Sequence, residues 1–208
     1  LLQLAKDEDI NTLDAFRILF YDDQGKLREG ITKKYPGVFE AWEKNPIEQE
    51  LKKNHENYDR IQKNVALARD KNTPVNILEK LAGEEDEPEI RAAVAQNEKI
   101  PLKLMKSLVE DDDIYVRANL VRNDAIPVKL LWDLSKDPSS LVRKGVAAKE
   151  YYGSDEFRDI LRELAKDADP SVRRNVVDNN MTPKDVLETL SHDQDRRVSE
   201  NAKDRLNR

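Results

Sequence analysis

The sequence predicts an all-α protein, a solenoid of stacked two-helix repeats behind an N-terminal helical region. Three observations carry this. A short motif recurs at a nearly fixed period, a proline recurs at a fixed distance before it, and the apolar residues between them keep helical spacing. The motif is clearest in Asp167–Asn180, DADPSVRRNVVDNN. It consists of an acid, a short turn, a Val-Arg pair and an apolar pair about one helical turn on. Its apolar anchors are Ile90, Val116, Val142, Val172 and Val198, spaced by 26, 26, 30 and 26 residues. A period in this range marks stacked supersecondary units that cannot bury their apolar faces alone.

Each unit reads as two short helices. Five residues before the anchors stand Glu85, Asp111, Asp137, Asp167 and Asp193, and directly after them Arg91, Arg117, Arg143 and Arg173, with Ser199 in the last copy. Pro101, Pro127 and Pro183 lie 15 residues before their anchors and Pro74 lies 16 before. Proline suits the first helical position, where its missing N–H has no intrahelical partner. Thr73 and Thr182 are then expected to be N-caps. Asn97, Asn123 and Asn179, with Asp70 in the first copy, stand four residues before these prolines. Asparagine tolerates the left-handed conformation that ends many helices, so these positions predict helix ends. The first helix of the unit at Pro101 puts Leu104, Met105 and Leu108 on one face, and its second helix does the same with Val116, Leu120 and Val121. Helices this short need each other to persist.

Taken in order, Leu1–Asp9 matches Leu161–Asp169 at six positions, Leu1, Leu4, Ala5, Lys6, Asp7 and Asp9. This reads either as the tail of a truncated repeat or as a coincidence of helical composition. Residues 11–45 leave the period and hold Phe16, Phe20, Phe39 and Trp42. They read as a helical cap over the open end of the stack, with a partner-binding aromatic patch as the alternative. The expected domains are therefore 1–45, an N-terminal helical region, and 46–208, about six repeats. A worn sixth copy is expected to begin at Pro46, with Lys52–Asn64 a polar connection and Ile61, Val65 and Leu67 opening the regular stack. In the fourth unit Lys149–Asp155, KEYYGSD, replaces the Asn-x-x-Pro spacing and adds four residues. Ser154 is expected to cap the next helix there. Such an insertion reads as a loop, either merely tolerated or on a binding face. Asn201–Arg208 is polar enough to finish the stack.

Composition narrows the function. Charged residues make up 38% of the chain and mean hydropathy is −0.81, yet Leu and Val keep helical spacing, which fits a thin periodic core. There is no cysteine, so disulfides and thiolate-held metals or clusters are excluded. No apolar run approaches a membrane span, no signal peptide is visible, and a cytoplasmic protein is expected. His55 and His192 lack a nucleophile partner pattern, six scattered glycines form no phosphate-cradling loop, and no catalytic residue, metal site or cofactor is assigned. Asp111-Asp112-Asp113 could hold a hard cation, but it stands where every unit has its turn acid.

The units resemble the leucine-rich repeat variant family through V-A-x-N-x-x-x-P, here Val94-Ala95-Gln96-Asn97 and Pro101. They resemble HEAT repeats through D-x-x-x-x-V-R, here Asp137 with Val142-Arg143 and Asp167 with Val172-Arg173. The resemblance implies a right-handed α-solenoid used as a binding scaffold. It also implies that the arginine after each anchor pairs with an acid of its own or the next unit, giving a structural ladder of Asp111, Arg117, Asp137, Arg143, Asp167 and Arg173. The iron–sulfur cluster of some leucine-rich repeat variants does not carry over to a chain without cysteine.

The second helices hold fourteen Lys and Arg against five acids, a net +9, so the rest of the chain carries −15 to reach the total of −6. Four ladder arginines removed, +5 remains. Such segregation can steer an acidic ligand. The candidate binding face is Arg122, Lys144, Lys149, Tyr151, Tyr152 and Arg174. The expected function is a non-enzymatic scaffold for protein–protein interaction, with an acidic protein partner fitting the basic side. The alternative is a nucleic-acid-binding or DNA-processing HEAT-like protein with a basic concave face.

Overall fold

A computed structural model of the chain describes residues 46–83, 86–151 and 154–207. The expected cap and truncated repeat, residues 1–45, lie outside the described residues, as do Glu85 and Tyr152. Two compact units divide the chain, Leu1–Tyr58 and Asp59–Arg208. The second holds the repeats.

Eleven α-helices and no strand occur among the described residues. The first, α1 (Pro46–Arg69), is followed by α2 (Val75–Ala82) and α3 (Pro88–Gln96), α4 (Leu102–Val109) and α5 (Ile114–Val121), then α6 (Val128–Leu134) and α7 (Ser140–Ala148). The stack continues with α8 (Asp155–Leu164) and α9 (Pro170–Asp178), and with α10 (Lys184–Leu190) and α11 (Arg196–Leu206). Each even-numbered helix packs on the odd-numbered one that follows it. The second helices α3, α5, α7, α9 and α11 stack in sequence, and α4, α6 and α8 stack beside them. This is an α-solenoid. None of the described helices is long and apolar enough to cross a membrane.

The core follows the period. All five anchors, Ile90, Val116, Val142, Val172 and Val198, are fully buried. The first helices meet them with Leu78, Met105 and Leu108, Leu131 and Leu134, Phe157 and Leu161, and Leu187 and Leu190, all buried. Burying one such side chain is worth about 1.5–3 kcal/mol.

The worn copy at Pro46 is not a helix pair. Residues 46–69 form one continuous 24-residue helix, so Lys52–Asn64 is helical and not a connection. Nothing there supplies the acid-led turn that splits the other units, and its Glu, Gln, Lys and Leu residues favour helix. Ile61 and Val65 pack on the core, but Leu67 is half-exposed and Ala68 is buried in its stead.

Helix ends also differ from expectation. Pro74, Pro101, Pro127 and Pro183 stand at the N-cap, one position before the helix, in extended backbone. Their carbonyls open the helical hydrogen bonding. Thr73 and Thr182 do not cap. Their hydroxyls donate backwards to the carbonyls of Leu67 and Val176, which ties each buried threonine to the end of the preceding helix. Side-chain caps occur instead on the second helices, at Asp113, Ser139, Asp169 and Asp195. Ser154 caps α8, accepting from Phe157 N.

Asn97 and Asn179 end their helices in extended, not left-handed, backbone. Asn97, Asn123 and Asn179 are buried, and they bind units together. Asn123 Nδ2 donates to the carbonyls of Ala95 (2.8 Å) and Asn97 (2.9 Å) in the preceding unit, while its Oδ1 accepts from Ala125 N (2.8 Å). Asn97 reaches Ala68 and Asp70 in the same way, and Asn179 reaches Ala147 and Lys149. Carbonyls at a helix C-terminus lack intrahelical donors, and here the next unit supplies one side chain for two of them.

Removing that side chain takes the Asn123 donor from the buried Ala95 carbonyl and one of two donors from the Asn97 carbonyl, which keeps Ile100 N (3.2 Å). Asn123→Ala is expected to lower stability by about 2–3 kcal/mol. Asn180→Ala, whose amide meets only Glu150 at the surface, is expected to change it by no more than about 0.5 kcal/mol. Urea denaturation followed by circular dichroism compares the two, and equal midpoints would show that Asn123 is not a structural tie.

Candidate interaction surface

Two polar ladders decide which charged residues remain outside. The first joins each second helix to the turn of the next unit. Arg117 Nε and Nη2 donate to the two carboxylate oxygens of Asp137 (2.6 and 3.1 Å). Arg143 holds Asp167 in the same fork (2.6 and 3.0 Å), Arg173 holds Asp193 (2.7 and 2.7 Å), and Arg91 holds Asp111 (2.7 and 3.0 Å). The carboxylate is always the next unit's. The arginine's own unit contributes only backbone: Arg117 Nη1 donates to the carbonyls of Asp111 and Asp112, Arg143 Nη1 to those of Asp137 and Pro138, and Arg173 Nη1 to those of Asp167 and Ala168. These arginine side chains are only 6–18% exposed. A planar fork with five donors suits this bridging, and lysine would not.

Each ladder aspartate also accepts the amide two residues on, at Asp113, Ser139, Asp169 and Asp195. In the stretch Asp111-Asp112-Asp113 the first acid is therefore bound to Arg91 and the third caps α5. Burial pushes the Asp167 carboxyl up, but the hydrogen bonds from Arg143 and the Asp169 amide outweigh it and hold the group below its ordinary value. The Arg173 fork likewise lowers Asp193. Hydrogen bonds from Ser171 lower Asp169 to about 2. Before the ladder, Arg60 reaches Glu87 (2.7 Å).

The second ladder is the asparagine series, and it absorbs two cations. Lys149 stands at the asparagine position of its unit. Its Nζ donates to the Asn123 carbonyl (3.1 Å) and lies 3.4 Å from Asp124 Oδ1, with the side chain 9% exposed. Lys149 therefore leaves the expected binding face. Arg205 stands at the same position in the last unit and donates to the carbonyls of Val177 and Asn179. The only sequence signal for these roles is the spacing of Lys149 and Arg205 from their anchors, which equals that of the asparagines. Tyr151 also turns away from the expected face, packing on Phe157 with ring centroids 5.6 Å apart.

The surviving members of the expected face are Arg122, Lys144 and Arg174, on or beside the solvent side of the second helices. No carboxylate pairs with any of them among the described residues. Arg122 Nη1 lies 3.4 Å from Asn119 Oδ1. Arg174 Nε is buried with no hydrogen-bond partner, which costs about 1–3 kcal/mol unless a ligand supplies one. Sequence reasoning missed two neighbours, Tyr115 at 63% and Leu141 at 41% exposure. Each stands one residue before its anchor, about 100° round the helix from the buried position, so helical periodicity would have found them. A groove of about 480 Å³ runs beside Tyr115, lined among others by Val65, Ala92, Gln96 and Asn119.

With six cations bound in the ladders, the basic excess of the second helices shrinks. Lys63, Arg69, Arg122, Lys144, Arg174 and Lys203 have no carboxylate partner among the described residues, while Asp59, Asp70, Asp178, Glu200 and Asp204 lie on or beside the same helices.

No protein-family model matches the chain, and no curated protein does. Among solved structures, one described as "a leucine-rich repeat variant with a novel repetitive protein structural motif" is similar at 28% identity, with a TM-score of 0.37. The match covers 69% of this chain and 65% of that one, so the chain spans just under two thirds of that protein's length. The fold stands on the helix pairing and ladders described above.

The ladder yields two expectations. Arg143→Ala leaves Asp167 buried without its cation and should cost about 3 kcal/mol, on the order of 10 °C in melting temperature. Lys144→Ala, one residue on, should shift it by no more than about 2 °C. Equal melting would remove the ladder's structural role. Second, carboxyls lowered in the folded state stabilise it above their unfolded value near 4, and this contribution is lost as pH falls through the lowered values. Melting temperature should therefore drop between about pH 4 and pH 2, and Arg173→Ala, which releases Asp193, should flatten that drop. A parent and variant with parallel pH profiles would contradict it.

Proposed function

We propose that the chain is a non-enzymatic scaffold of the leucine-rich repeat variant or HEAT-like class, and that it binds a protein partner on the solvent side of its second helices. The observation that carries this is a contrast between equivalent positions. Inward positions repeat from unit to unit: Ile or Val at the anchor, Arg after it in all but the last copy (Ser199), and Asn or a cation at the helix end. The outward position just before the anchor does not repeat. It is Glu89, Tyr115, Leu141, Ser171 and Arg197 in successive units. Two positions after the anchor the series is Ala92, Ala118, Lys144, Arg174 and Glu200. A fold needs the first kind of position to be uniform. Variety in the second kind, including half-exposed Tyr and Leu, suits recognition of one particular surface.

Affinity capture on the intact chain from its source cells, followed by calorimetry with the purified partner, tests the proposal. The expected result is a defined complex with a Kd at or below about 10 μM and a negative heat-capacity change from apolar burial. No specific partner would overturn it. A mobility shift with DNA or RNA at about 50 mM salt, falling steeply as salt rises, would favour nucleic acid instead.

A further inference from the structure

One part of this surface has a distinct chemistry. Tyr115 and Leu141 stand at equivalent positions in consecutive units, exposed side by side on α5 and α7. One helical turn along lie Ala118 and Gly145, which leave a low floor between the helices. Level with Ala118 in the following units stand Lys144 and Arg174, with Arg122 one turn further along from Ala118. Lys144 and Arg174 are again equivalent positions in consecutive units, on helices in direct contact here, since Asn175 Nδ2 donates to the Lys144 carbonyl (3.1 Å). Neither forms an ion pair among the described residues, although Asp178 lies one turn from Arg174 on α9 and Glu200, at the equivalent position of the next unit, is held by Arg196 (2.7 Å). Arg174 Nε is moreover a buried donor without an acceptor.

Gly145 adds an independent observation. It lies inside α7, where glycine weakens a helix relative to alanine. A methyl group would fit there: the nearest atoms to an added Cβ are Val121 Cγ1 at 3.6 Å and Cβ at 3.8 Å, ordinary contact distances. Packing does not demand glycine at this position. What glycine leaves is a shallow gap beside Val121 of α5, between the two helices.

We infer that this surface takes a short, extended acidic segment of the partner protein. Its carboxylates meet Lys144 and Arg174, with Arg122 at the edge, its backbone passes close over Gly145, and one large apolar side chain lies against Tyr115 and Leu141. The inference rests on the scaffold reading above and names the site and the class of partner. Charge complementarity selects the acid, and the exposed Tyr–Leu pair selects the apolar residue. A polynucleotide fits less well. Its continuous charge would run on to Glu89 and Asp113 beside Tyr115 and to Asp178 at the end of α9, whereas a short peptide needs only three cations.

The test is selection of a phage-displayed library of random short peptides on the intact chain, followed by fluorescence anisotropy with labelled winners. Enriched peptides should carry Asp or Glu with one Leu, Phe or Trp. Lys144→Glu/Arg174→Glu should weaken them about tenfold or more without lowering the melting temperature, because it breaks no ion pair. Lys103→Glu/Lys106→Glu, the same charge change on exposed residues of α4, should leave binding unchanged. Gly145→Ala should raise the melting temperature, and Gly145→Gln should weaken binding. Winners without acids, or acidic winners insensitive to Lys144→Glu/Arg174→Glu, would overturn the site. So would labelled single-stranded DNA that binds as tightly through the same two residues. If no peptide is enriched while affinity capture still yields a partner, the site falls and the scaffold reading stands. If neither appears, both fall.

Discussion

The arginine fork between units is the interaction on which the stack depends. Apolar burial drives the helices together, but it is non-directional and would tolerate sliding between layers. The fork is not tolerant. Arg117 must meet both oxygens of Asp137 while its third nitrogen holds the carbonyls of its own turn. One guanidinium thus fixes the distance and angle between consecutive units. The cost of burying both charges is large, and an apolar pair of similar volume could serve stability as well. What the apolar pair would not fix is register. The four-residue insertion shows the consequence. Arg143 and Asp167 are 24 residues apart where the other rungs span 20, yet the Nε bond to the carboxylate is 2.6 Å there and 2.6–2.7 Å in the others. The extra residues are accommodated between α7 and α8, and the ladder passes across them unchanged.

The anchors, the arginines and the turn acids were legible because each recurs with the period, and a repeat with this regularity admits few packings. The pairing partner was not, since spacing alone allows an arginine to reach its own acid or the next unit's. Asparagine was misread for a similar reason. Its local backbone preference suggested a left-handed helix end, but the tertiary role won: a buried amide that satisfies two carbonyls of the neighbouring unit. The same role explains Lys149 and Arg205, whose long side chains deliver a donor to the place an amide occupies elsewhere. Residue type suggested a surface cation, and position decided otherwise. The helix Pro46–Arg69 escaped because proline spacing was matched without the acid-led turn that splits a true unit.

This division changes how charge in a repeat protein is to be counted. The net +9 of the second helices suggests a basic stripe, and six of those cations are spent inside the fold. A polyanion-binding surface requires cations whose partners are water. The residues meeting that description here are fewer and are interrupted by acids, which favours a short ligand over a long one.

The two ladders also place the remaining surface on a firm base. Each second helix from α5 to α9 is held near its start by an arginine fork and near its end by an asparagine or a lysine reaching the previous unit. The outward residues lie between these two ties, on helix and not on loop. A partner meeting Tyr115, Leu141, Lys144 and Arg174 therefore meets side chains whose backbone is already fixed, and little ordering entropy is lost on binding. The inward positions are constrained by the stack, so side chains are free to differ between units where the ties do not reach. That is how one regular frame can carry a surface that differs from unit to unit.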